Sequence, residues 1–381
     1  MNRPCSVRCL SLLLGPLLAW LVACAPAAPP AALAPKPPAA PAPVAQGDQT
    51  EWDRLVAAAK AEGTLAVFGP APETLRNALL TFSKQYPEIQ LEYTGGFGRV
   101  FVSRILPERD ADQYLWDVQV GGSGTAISEF MPRGVLDPIK PALVLPEVLD
   151  DSKWRGGFDA GFQDTAQQFI YAFQGSLVPI VFVNRDVIPE SELGQIEQLT
   201  DPKWQGKIGW DDPRTNGVGS TNGAYLLSLL GRDFMTRLLE QDAVILTDQR
   251  QLAERLVRGS LPIAIGVDLP VLLTLQKEGL GKNVKPLAPN SPAGARVGSF
   301  WGNATLINRA PHPNAARVFL NWLLSREGQT EWVQATEAAS RRLDVPAPEG
   351  TLPGPQHRVI DDEPNFHFQR EMTDLSKEVI K

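Results

Sequence analysis

From Thr64 onward the chain repeats one rhythm: a short apolar run, a glycine-bearing turn, then apolar residues at helical spacing. Thr64 to Phe68 ends at Gly69-Pro70, and Ala71 to Gln85 follows with Leu75, Ala78, Leu79 and Phe82 on one helical face. Ile89 to Tyr93 alternates like a strand into Gly95-Gly96-Phe97-Gly98. Arg99 to Glu108 then reads as a helix with Val102, Ile105 and Leu106 inward, and Trp116 to Val120 as a strand ending in Gly121-Gly122-Ser123-Gly124. Ahead of all this, Trp52, Leu55, Val56 and Ala59 have helical spacing, closed by Gly63. The order predicts α/β architecture with a mainly parallel sheet.

The second half repeats the pattern. Ala166 to Phe173 and Leu177 to Val183 are strand-like, and Lys207 to Trp210 leads into a polar loop from Asp211 to Gly223. Tyr225 to Leu230 and Asp233 to Gln241 read as two helices. Ala243 to Leu246 and Ile263 to Val267 read as strands, the second ending at Asp268-Leu269-Pro270. Val297 to Ile307 is extended. Pro313 opens a helix with Val318, Phe319, Trp322 and Leu323 buried, proline being well placed in a first turn. The tail from about Arg342 is rich in Pro and Gly, then polar.

The segment before this body is different in kind. Arg3 and Arg8 precede an apolar run from Leu10 to Ala23, shorter than the roughly 20 residues a spanning helix needs. It reads as a secretory signal over residues 1–23. Its end, Leu21-Val22-Ala23-Cys24, resembles the lipobox of bacterial lipoproteins, which implies cleavage before Cys24 and lipid on that thiol. The other cysteines, Cys5 and Cys9, leave with the signal, so a thiolate zinc site or a cysteine nucleophile is excluded from residue 25 onward. Residues 24–48 are almost all Ala and Pro, a tether in extended geometry that reaches on the order of 70 Å at about 3.1 Å per residue.

The formal net charge is −7, and loss of Arg3 and Arg8 makes the remainder more acidic still. With no basic run, nucleic acid is not an expected partner. Two glycine-marked loops (95–98 and 121–124) and two polar ones (211–223 and 266–270) follow strands. In open α/β sheets ligands bind beyond the carboxyl ends of strands, where helix starts offer backbone N–H groups. Four such loops, divided between the halves of the chain, predict a ligand cleft between two α/β lobes.

From Glu51 to about Ala338 the body resembles the solute-binding proteins of ABC importers, of the type related to ferric-ion-binding proteins. The resemblance is carried by Ala59 to Thr64, Thr81-Phe82, Tyr86-Pro87, Arg104 to Glu108, Trp116 to Val118 and Val183-Asn184. It continues in Leu199 to Ile208, Gly266 to Asp268 and Asn314 to Gly328. It implies a type 2 periplasmic-binding-protein fold, with residues 49–170 and 300–381 in one lobe and 171–299 in the other. Strands cross between them near 170–184 and 296–307. It also implies a monomer without cofactor, closing on a small solute and passing it to a membrane permease. Ferric binders of this type carry two adjacent tyrosines where this chain has Asp268 to Thr274. Tyr86, Tyr93, Tyr114, Tyr171 and Tyr225 form no such pair, and His312, His357 and His367 lack metal-ligand spacing. The expected solute is therefore a small polar or anionic organic molecule and the expected metal set is none. Ferric iron or an iron complex is the alternative.

The expected ligand-binding residues are Pro70, Phe97, Gly98, Arg99, Ser123, Thr215, Asn216, Ser220, Thr221, Asp268 and Trp301. Arg99 pairs with an anionic group or lies solvated on the surface. Ser123, Thr215, Asn216 and Ser220 donate to ligand or cap and turn their own loops. Asp268 accepts from an amine or caps the next helix. Phe97 and Trp301 stack on the ligand, or Trp301 belongs to the core. Arg104 and Glu108 form a structural salt bridge, and Asp211-Asp212 is a solvated turn. Gly121-Gly122-Ser123-Gly124-Thr125 lacks the last glycine of a nucleophile elbow, so an enzyme is not expected. A sensor without transport function is the other alternative.

Overall fold

The structure, a computed structural model, describes residues 46–215 and 217–380, with side chains from Glu51 onward. Cys24, the signal and most of the tether lie outside the described residues.

Thirteen strands are present among the described residues: β1 (Thr64–Gly69), β2 (Gln90–Gly95), β3 (Val118–Gly121), β4 (Leu136–Asp137), β5 (Tyr171–Ala172), β6 (Ser176–Pro179), β7 (Val181–Asn184), β8 (Ile208–Asp211), β9 (Val244–Leu246), β10 (Ile263–Ile265), β11 (Val284–Pro286), β12 (Ala295–Gly298) and β13 (Asn303–Ile307). They form two lobes, one on a sheet of order β2-β1-β3-β13-β4 with β5 beside β13, the other on β11-β7-β10-β8-β9. A third ladder, β6 antiparallel to β12, joins them. The chain leaves the first lobe through β6 into β7 and returns through β12 into β13. Both sheets are mixed rather than mainly parallel. β1 runs parallel to β2 and β3, and β8 to β9 and β10, but β13 and β7 arrive from the connecting ladder and pair antiparallel.

The unbroken apolar runs follow from burial on both faces of each sheet. In β1, Leu65 and Val67 enter one core cluster while Ala66 and Phe68 enter the cluster on the opposite face. β7 does the same in the second lobe, with Val181 and Val183 on one face and Phe182 on the other. The late helix is Pro313–Leu324, and its Phe319 and Trp322 meet Phe82 at ring distances of 5.3 and 5.4 Å. Arg104 and Glu108 form the expected i,i+4 bridge at 3.0 Å, and Glu108 also accepts from the Trp116 indole.

Several elements differ from the sequence reading. Ala71 to Gln85 is two helices, Glu73–Leu80 and Phe82–Gln85. Residues 166–170 are not strand: the Asp164 carboxylate accepts from the N–H groups of Gln168, Phe169 and Ile170 and holds a turn there. Arg342, where the Pro- and Gly-rich tail begins, is fully buried and paired with Glu147 and Asp344. The carboxy-terminal helix Phe366–Val379, expected with the first lobe, packs on the Val218–Leu239 helix of the second. Its Met372 and Leu375 enter that lobe's core because they need apolar cover that helix supplies.

Candidate functional site

The cleft lies where the carboxyl ends of strands from both sheets face one another. From the first lobe come Gly98, Gly122, Ser123, Gly124 and Thr125. From the second come Gly217, Val218 and Thr221, and from the connecting ladder and its return Arg296, Phe300 and Trp301. The carboxy-terminal segment adds Asp361 and Gln369. Its volume is about 290 Å³. Hollows of about 500 and 520 Å³ lie against the first lobe alone, around Trp322 and Arg317. They join no residues of the two lobes, so the smaller cleft is the candidate site.

Helix starts from both lobes open onto it. Gly98 begins the helix Gly98–Asp110, and Val218 begins Val218–Leu239. The first N–H groups of a helix have no partner within it and favour anionic or carbonyl groups. Glycine at these starts is a packing requirement. A Cβ on Gly98 would stand 2.0 Å from the Thr125 hydroxyl, and one on Gly219 would stand 1.9 Å from the Asp211 carbonyl.

The sequence-selected residues separate into groups. Gly98, Ser123, Thr221 and Trp301 line the cleft. Phe97 is half exposed and packs on Trp301 at 5.7 Å, so the tryptophan both borders the first lobe's core and presents a face to the cleft. Arg99 turns away, its guanidinium 5.2 Å over the Phe97 ring. Pro70 is buried and its carbonyl is taken by the Tyr93 hydroxyl. Thr215 bonds the Asp212 carbonyl and turns its loop. Ser220 is buried: its hydroxyl accepts from the Gly217 N–H and donates to the Gly217 carbonyl, closing the helix start. Asn216 lies outside the described residues.

Asp268 precedes the helix Leu269–Lys277 without capping it, and its own N–H is held by Gln249. Burial pushes its carboxyl up. Asp211 is pushed up too, by burial first, against the Gly219 N–H that bonds it at 2.8 Å. The adjacent pair is therefore not a solvated turn: Asp211 anchors the helix start while Asp212 pairs with Arg214 at 2.9 Å.

Sequence reasoning missed Arg296, Phe300 and Asp361. Arg296 is buried in β12, with its Nε donating to Asn222 at 3.0 Å and its Nη1 without a partner. Burial lowers its pKa, while the nearby Asp361 carboxylate pulls it back up. Asp361 accepts from Ser299 through Oδ2, its Oδ1 is buried and unpartnered, and its backbone carbonyl accepts from the Ser123 hydroxyl. A lone arginine in an otherwise apolar β-run was the one visible signal.

Residues 77–352, well over half of the chain, match the family described as bacterial extracellular solute-binding protein. The chain belongs to the bacterial extracellular solute-binding proteins. This solute-binding protein has the fold of several solved relatives. Iron-bound HitA from Pseudomonas aeruginosa is 19% identical, with a TM-score of 0.64 over 84% of this chain and 99% of that one. A Trichodesmium protein (IdiA, FutA) in complex with iron and citrate is 17% identical, with a TM-score of 0.66 over 84% and 99%. A Bordetella ferric binding protein is 18% identical, with a TM-score of 0.63 over 83% and 98%. The family's members are binding proteins rather than enzymes, and membership makes this chain a receptor for a solute, acting outside the cytoplasm with an ABC permease as partner. Among the described residues no helix is long and apolar enough to cross a membrane.

Proposed function

We propose that this solute-binding protein is a lipid-anchored receptor that closes its two lobes on a small polar or anionic organic solute, without catalysis, and delivers it to its permease. The observation that carries the reading is the donor set of the cleft: helix starts from both lobes and a buried arginine with an unpartnered Nη1, while the Ser123 and Thr221 hydroxyls donate to the Asp361 and Gly217 carbonyls and offer the cleft only lone pairs. These groups suit an oxyanion. Phenolates for a bare ferric ion are not among them. Tyr225 donates to the Pro292 carbonyl, Tyr93 to that of Pro70, and Tyr171 lies in the first lobe's core. The solved relatives' iron, in one case with citrate, makes an iron complex the competing cargo.

Native mass spectrometry of the purified protein, followed by thermal shift with small acids, amino acids and ferric citrate, tests this reading. A ligand bound only by the native state raises the midpoint by mass action. An organic acid or amino acid that shifts the midpoint supports it. A response to ferric citrate alone replaces it with the iron reading, and no response to any probe overturns the receptor reading for this cleft. The anchor is tested separately: Cys24→Ser is expected to move the protein from the membrane fraction to the soluble fraction, and unchanged membrane retention would refute lipidation at Cys24.

A further inference from the structure

Two buried polar atoms at the cleft have no partner, and they are of opposite kind. The Nη1 of Arg296 is a donor on a cation, and the Oδ1 of Asp361 is an acceptor on an anion. Leaving either unbonded in the interior is costly, and more so when the group is charged. The two side chains feel each other electrostatically but do not bond through these atoms. Each is held by its own surroundings. Arg296 is fixed through Nε to Asn222, on the Val218–Leu239 helix of the second lobe. Asp361 is fixed through Ser299, and its backbone through Ser123 of the first lobe. A ligand that offers an acceptor to the one and a donor to the other would satisfy both at once.

Resting on the receptor reading above, we infer that the cleft selects a zwitterionic solute, with Arg296 and the helix starts taking its carboxylate or phosphonate and Asp361 taking its ammonium. The walls suit both ends. The Phe300 ring packs 5.8 Å from the Arg296 guanidinium and backs the anionic end, which leaves Trp301 as the ring lining the cleft for the ammonium, attractive within about 6 Å. Asp361 lies beyond residues 77–352, the span of the family match. The ammonium selectivity is thus supplied by this chain's carboxy-terminal segment. A cleft with Arg296 alone would favour a simple acid, and one with Asp361 alone would favour an amine.

The test is calorimetric titration of the full chain with matched pairs that differ only by the amine. The pairs are the ω-amino acids from glycine to 5-aminopentanoate, each against its deaminated acid, and 2-aminoethylphosphonate against ethylphosphonate. Any zwitterionic solute recovered by native mass spectrometry is added with its own deaminated analogue. At least one amino member is expected to bind tenfold or more tightly than its partner. In Asp361→Asn that ratio should fall to within threefold, and in Arg296→Gln both members of the pair should weaken. Circular dichroism confirms that each variant is folded, and Asp361→Glu is expected to recover part of the ratio. Equal affinity for amino and deaminated members, a ratio that survives Asp361→Asn, or recovery of a solute without an amine would each overturn the inference and leave the receptor reading standing. If no pair binds and no solute is recovered, both readings fall.

Discussion

Asp268, which the sequence offers as an acceptor for an amine or as a helix cap, sits at the foot of the Leu269–Lys277 helix without a side-chain capping bond, its carboxyl pushed up by burial alone. The sign follows from linkage. A folded-state pKa above the unfolded value means the native state binds more protons between the two, so stability falls as pH rises through that window. The ionised carboxylate is therefore a cost at neutral pH and none once both states are protonated. Asp268→Asn should raise the melting midpoint slightly at pH 7, with the gain shrinking as pH falls into the ordinary carboxylate range. It should also relieve Asp211, on which Asp268 acts as a like charge. Thermal melts of both proteins across pH 4 to 7.5 check this, and a midpoint lowered equally at all pH values would contradict it.

At the scale of elements, most strands were legible because burial on both sheet faces writes them as continuous apolar runs, and Gly63 and Pro313 mark helix ends where they were expected. The polar stretch from Asp211 to Gly223 was not legible. Its second half is the first turn of a helix, but Gly217, Gly219 and Gly223 with Ser220, Thr221 and Asn222 are poor helix formers that read as loop. Tertiary contact decides there: Gly219 is required for close approach to β8, and Asn222 is spent on the Ile180 carbonyl and Arg296. For the same reason the candidate site was half legible. Ser123, Thr221 and Trp301 follow strands whose ends can be read locally, whereas Arg296 and Asp361 meet only because the ladder and the carboxy-terminal segment converge. The Val218–Leu239 helix also breaks at Gly231, with φ 78° and ψ 171°, which matches the two helices read from sequence. No atom lies within 4 Å of a Cβ built there, so backbone strain alone opposes a side chain. Gly231→Ala should cost about 1–3 kcal/mol, the range for a non-glycine residue in such a region. Urea unfolding measures it, and a variant as stable as the parent would show that the break can relax into continuous helix.

At the scale of the molecule, the two lobes are joined twice. The β6–β12 ladder is one connection. The other is the carboxy-terminal segment, which touches the first lobe through Ser123, Gln163 and Thr165 and then buries Ile360, Met372 and Leu375 in the second. Closure of such a cleft cannot be free rotation about the ladder, because residues 361–366 must travel with the first lobe, Phe366 packing on its core, while 368–379 stay on the second. Termination after Arg358 should therefore do two things. Exposing the sites of Ile360, Met372 and Leu375 costs roughly 4.5–9 kcal/mol at about 1.5–3 kcal/mol per side chain, which lowers the calorimetric midpoint. Loss of the second connection should broaden or split the single unfolding transition. Glu363→Ala separates the effects, since it removes only the carboxylate that accepts from the Thr165 N–H at 2.7 Å. That variant should keep nearly the parent midpoint while the Thr165 amide exchanges faster with solvent. A truncated chain that melts at the parent temperature in one sharp transition would show instead that the ladder alone couples the lobes, and that the segment carrying Asp361 is free to leave the cleft without cost to the fold.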